Sequence, residues 1–170
     1  MNFIFRGFEI NPKGKEKIYI NNKELLGDWH EGYFTRYART AVVGVPVIET
    51  EWDSYVIDER TICPCLSYID SKGKHFGHMD IITCIDANDE IDKFLLQWNS
   101  EGQEFQVIFL NCQEKLYGTN TSYFISFDFF DWAEFVANVL QNIHGIYKSI
   151  EITNNAFSDP NFFKKGIIPW

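Results

Sequence analysis

Two apolar runs, Ile62–Ile69 and Phe76–Ile85, flank five polar residues, Asp70-Ser71-Lys72-Gly73-Lys74. This arrangement limits the chain's options more than any other. An Asp side chain can bond its own backbone two residues on, and glycine enters the positive-φ region without steric cost. Apolar runs on both sides of such a tip predict a β-hairpin. The aromatic content points the same way. The chain has 16 Phe, 8 Tyr and 5 Trp in 170 residues, and large rings suit pleated surfaces and the space between packed layers.

Further alternating or β-branched segments predict strands over residues 2–10, 17–20, 29–37, 41–50, 54–58, 93–98, 104–112, 122–130 and 149–153. Pro46 marks its segment as an edge or a bulge. Residues 86–92 are acidic and predict a loop or a single helical turn. One helix is expected, over 131–143. Trp132, Phe135, Val136, Val139, Leu140 and Ile143 recur there at helical spacing, Asp131 or Asp128 can cap the start, and Gly145 stops it. The expected fold is one α+β domain over residues 1–170, a mainly antiparallel and partly barrel-like sheet with one amphipathic helix.

Charge bounds the partners. The net charge is −9, which opposes the positive footprint of a nucleic-acid binder. Residues 1–79 carry 11 acidic and 10 basic side chains, net −1, whereas residues 80–170 carry 13 and 5, net −8. An acidic face in the second half suits a partner with a basic surface. Its candidate contacts are Asp86, Asp89, Glu90, Asp92, Asp128, Asp131 and Glu134. Helix-start charge is the simplest reading of the last three. The start, Met1-Asn2-Phe3-Ile4-Phe5-Arg6, lacks the long apolar core of a signal peptide. The expectation is a soluble cytoplasmic protein with reduced cysteines. Cys63-Pro64-Cys65 has one residue between thiols, too few for a zinc knuckle, so neither metal nor cofactor is expected.

Cys63 and His78 are the one candidate catalytic pair. A cysteine before one strand and a histidine on the next can act as nucleophile and base, and the pattern is similar to the hairpin of CheD-type glutamine deamidases. Pro64 removes the next backbone N–H, a common oxyanion donor.

Four segments, in order, resemble the YopX family of phage and prophage proteins. Phe5-Arg6-Gly7 matches that family's opening Phe-Arg-Gly, and Trp29-His30-Glu31-Gly32-Tyr33 is similar to its Trp-Val-Tyr-Gly strand. Thr61, Ile62, Asp70, Gly73, Lys74, Asp80, Ile81 and Ile82 fall into the register of its central hairpin, and Glu151, Asn155 and Pro160 into its closing segment. The chain departs from the family at Cys63, Pro64, Ser67, His78 and Met79, and its second half is longer around the predicted helix. The resemblance implies a non-enzymatic phage or prophage accessory protein and transfers no catalytic residues. The expected role is inhibition of a host defence factor that acts on nucleic acid, in the manner of an anti-CRISPR or anti-restriction protein. The alternative is a Cys63/His78 amide hydrolase or deamidase acting on a host protein.

Overall fold

The structure is a computed structural model that describes residues 4–21, 23–37, 44–99, 101–113 and 123–158. Side chains of residues 36, 37, 111–113 and 123–128 are outside the description. The chain divides into two compact units, Met1–Ser67 with Phe157–Trp170, and Tyr68–Ala156. Strands dominate both, joined antiparallel wherever a register is defined.

The first unit holds β1 (Phe5–Ile10), β2 (Glu16–Ile20), β3 (Lys23–Tyr37), β4 (Val45–Glu49), β5 (Ser54–Val56) and most of β6 (Cys63–Ile69). Their order is β5-β4-β3-β1-β6, and β2 pairs with β3. Alternation sends Phe8 inward at 0% exposure, in edge-on contact with Trp29, its cross-strand partner. Trp29 in turn meets Phe157. Arg6 is also buried, and its Nε and Nη2 both donate to Glu31 Oε1, at 2.8 and 2.7 Å. Thr61 Oγ1 accepts from Phe8 N and donates to Asp58 O. Buried polar groups with partners of this kind fix the register instead of opposing burial. Pro46 was expected to mark an edge or a bulge. β4 lies between β3 and β5, and the proline, its second residue, pairs with Arg36 but precedes the register with β5, which begins at Val47.

The second unit holds β7 (His75–Gly77), β8 (Asp80–Asp86), β9 (Ile91–Asn99), β10 (Glu104–Gln113), β11 (Tyr123–Phe130) and β12 (Tyr147–Asn155). Its sheet has the order β11-β10-β9-β8-β12. Phe94 is the hub of one face, with ring centroids 5.4 Å from Phe109, 5.3 Å from Phe130 and 5.4 Å from Phe135. Edge-to-face pairs of this type contribute about 0.5–1.5 kcal/mol each beyond burial.

The expected partial barrel is not formed; the sheets remain open. The outer edge of β12 is closed by the hairpin tip and not by a strand. Ile152 N donates to Asp70 Oδ2 at 3.0 Å, and Ser71 N and Oγ both donate to Ile150 O. A carboxylate and a hydroxyl thus do the work of a neighbouring strand, which protects the edge from further pairing.

The helix is shorter than expected. Asp131 Oδ1 accepts from Glu134 N at 2.8 Å, one α-helical turn follows (α1, Trp132–Phe135), and the chain widens to a π-helical turn over Val136–Leu140. Phe135 and Val139 are buried, but Ile143 is 62% exposed. The cause is Asn142, at φ 46. Its side chain accepts from Tyr147 N and donates to Tyr147 O, an alternative to the helix that Asn is suited to offer. No helix among the described residues is long and apolar enough to cross a membrane.

Candidate functional site

Several of the residues singled out by sequence fall on three turns of the second unit. The first is the hairpin tip. Asp70 Oδ1 accepts from Lys72 N and Lys74 N, both at 2.9 Å, while Oδ2 accepts from Ile152 N. Gly73 takes φ 81. Burial pushes the Asp70 carboxyl up, but the N–H groups of Ile152, Lys74 and Lys72 outweigh it and hold it below the ordinary aspartate range.

The second turn joins β7 to β8. Asp80, fully buried, accepts from Gly77 N at 2.8 Å and from Asn155 Nδ2 at 3.0 Å. Met79 sits at φ 64, with its backbone fixed by Leu96 O and Ala156 N. His78 Nδ1 accepts from Trp98 N at 2.9 Å. Burial lowers the His78 imidazole to about 4, so it is neutral near pH 7. A neutral ring whose Nδ1 accepts a backbone N–H must carry its proton on Nε2. Neither nitrogen then offers a lone pair for general-base work. Cys63 belongs to the first unit, where it is buried in β6 opposite Arg6.

The third turn, between β8 and β9, carries the acidic run. Asp86 Oδ1 accepts from Asn88 N and Glu90 N, both at 2.8 Å. Asp89 pairs with Lys148 and still leaves 81% of its side chain exposed. Asp92 accepts from Tyr147 OH at 2.8 Å, which together with burial raises the tyrosine hydroxyl. Glu90 and Glu134 are exposed, Asp131 caps α1, and Asp128 lies outside the described side chains. The structure therefore brings Asp86, Asp89, Glu90 and Asp92 together and gives three of them local work. Among the described residues no group of three or more His, Cys, Asp or Glu side chains is placed to hold a metal ion.

Sequence reasoning missed a depression beside the first of these turns. It has a volume of about 250 Å³ and is lined by Ile69, Phe76, Leu140, Tyr147, Lys148 and Ile150, among others. Its walls come from the hairpin tip, the end of the π-helical turn and the start of β12. No local signal in the sequence announces it, because its lining comes from three separate segments. Comparison with protein-family models, curated proteins and solved structures finds no match.

Proposed function

We propose that the chain is a non-enzymatic, phage-type accessory protein that binds and inhibits a host factor with a basic, nucleic-acid-handling surface. The observation that carries this reading is the exposed acidic turn between β8 and β9, set in a half of the chain with net charge −8. A turn of this kind speeds encounter with a basic channel, because charge complementarity acts mainly on association. The residues behind the YopX resemblance support the same reading indirectly. Arg6, Thr61, Asp70, Gly73 and Asp80 all hold turns or buried links, so the likeness concerns architecture and not chemistry. The geometry at His78 favours binding over amide hydrolysis, since its Nδ1 lone pair already accepts from Trp98 N.

The test is capture of a partner from a bacterial host on the immobilised protein, followed by intact-mass measurement and association kinetics. The expected result is an unmodified partner whose association slows as salt rises and which nucleic acid displaces. Asp89→Asn with Glu90→Lys should slow association several-fold, and Glu51→Lys in the first unit should not. Glu51 suits this role because it is exposed, whereas Glu9 and Glu16 bond His30 and Trp29 N. Loss of effect in Cys63→Ser with folding intact, together with the mass change of a deamidation on the partner, would replace this reading with the hydrolase.

A further inference from the structure

The depression beside the hairpin tip has an unusual chemical character. Every polar side chain around it is already bonded to a neighbour. Asp70 accepts three backbone N–H groups, and Ser71 donates to Ile150 O. Asn142 serves both backbone groups of Tyr147. Tyr147 donates to Asp92, Lys148 pairs with Asp89, and Ser149 reaches Glu151. The apolar part of its surface includes Phe76, Leu140 and Ile150.

One exposed isoleucine lines the depression, and two more are chain neighbours of its lining residues Asn142 and Tyr147. Ile69 lines the depression and is 55% exposed, while Ile143 and Ile146, on the chain leading into β12, are 62% and 41% exposed. Isolated exposed isoleucines need no explanation, but one that lines a depression and two that adjoin its lining residues in the chain point to a contact surface. Small-molecule and cofactor sites enclose about 300–1,000 Å³ and present convergent polar groups. This site is smaller, and each of its polar side chains is already bonded within the fold.

The surroundings define the partner. Tyr147 stands opposite Asp86 across the β8–β12 ladder, and Lys148 reaches Asp89. The acidic turn therefore adjoins one wall, and the wall's own cation is neutralised. We propose that this depression takes one aliphatic or aromatic side chain from a basic protein segment, with the acidic turn meeting the flanking Lys or Arg residues. The proposal rests on the binding reading above and names the anchor that reading lacks. Charge steers the encounter, and the desolvated apolar anchor sets the residence time.

The test uses the whole protein and a short fluorescent peptide with one central phenylalanine between pairs of lysines. Fluorescence anisotropy gives affinity, and methyl shifts of Ile150 report the pocket. The wild type should bind the peptide and shift Ile150. Ile69→Ser with Ile146→Ser should weaken binding about tenfold at both low and high salt. Both positions are partly exposed, so the fold should persist, which circular dichroism checks. Asp89→Asn with Glu90→Lys should weaken binding at low salt only. Trp52→Ser, at an 86% exposed site in the first unit, should change nothing.

Equal binding of a peptide with serine in place of phenylalanine would overturn the proposal, as would indifference to the isoleucine pair. Concentration-dependent self-association that the isoleucine pair abolishes would also overturn it, because the occupant would then be a second copy. If the peptide behaves as expected but no host partner shows salt-dependent capture, the pocket stands and the host-factor reading falls. If a host partner binds the isoleucine pair as well as the wild type, the pocket falls and the host-factor reading stands.

Discussion

The turns at Asp70–Lys74 and Asp86–Glu90 share one geometry. In each, the first aspartate's Oδ1 accepts from the backbone N–H groups two and four residues on. In each, its carbonyl accepts from the N–H three residues on, and its N–H donates to the carbonyl four residues on. In each, the fourth residue is left-handed, Gly73 at φ 81 and Asp89 at φ 66. The difference lies in what surrounds them. Asp70 is 6% exposed, and its second oxygen fastens β12. The second oxygen of Asp86 has only a long contact to Asn88 Nδ2, at 3.5 Å. One turn closes a sheet edge, and the other displays charge. Turn chemistry alone therefore says nothing about role; the partner of the spare oxygen decides it.

The largest expected effect follows from that oxygen. Asp70→Ala strands two turn N–H groups and the N–H of Ile152, and should cost about 4 kcal/mol in urea unfolding. Asp86→Ala loses the same two turn bonds in a solvated setting, where water replaces them, and should cost about 1 kcal/mol. Equal costs would erase the distinction between the two turns. Acid should weaken the Asp70 link as well. Its folded carboxyl is lowered, so its contribution is complete above the ordinary aspartate range and is lost as pH falls through the folded value.

A second effect separates the turn at His78 from both. Its imidazole is lowered by burial from 6.5 to about 4. The unfolded chain therefore binds a proton first, and the stabilising neutral form is fully present above pH 6.5. Stability should fall between pH 6.5 and about 4. The loss should reach about 2 kcal/mol, after allowance for the part of the residue that meets solvent. His78→Gln, which can still accept from Trp98 N, should flatten this slope. A slope unchanged in that variant would assign the titration elsewhere.

The legible part of the molecule was the part governed by local rules. Strand positions followed alternation, and the tip followed Asp70 and Gly73. The second turn escaped because Asp89 occupies the position where glycine announces the geometry, so residues 86–92 suggest only a loop or a single helical turn. The helix end escaped because Asn142 trades helical bonds for Tyr147, a partner five residues away whose position depends on β12. The candidate site was half visible. Its charges can be counted along the chain, whereas its apolar floor joins Phe76, Leu140 and Ile150 from three distant segments. No periodicity reports such a meeting. The Cys63 and His78 pattern suggested chemistry from spacing, but spacing is silent on which hydrogen bonds a ring nitrogen already makes.

The smallest effects lie at the fourth residue of each turn and should have opposite signs. A Cβ built on Gly73 meets nothing within 4 Å, so packing plays no part there and only the backbone conformation counts. An L-residue at φ 81 is strained, and Gly73→Ala should destabilise by about 1 kcal/mol. Asp89 already bears that strain, eased because a short polar side chain tolerates the left-handed region. Asp89→Gly relieves it but gives up the Lys148 ion pair, which at such an exposed site contributes about 0–1 kcal/mol. It also frees the unfolded chain, which offsets part of the relief. The net gain should be about 0.5 kcal/mol, larger at high salt, where screening has already removed the ion pair. Urea unfolding of both variants at low and high salt checks the pair. A loss from Asp89→Gly that vanishes in high salt would mean that the ion pair, and not the backbone, holds the acidic turn in shape. The turn would then loosen whenever a basic partner drew Asp89 away from Lys148.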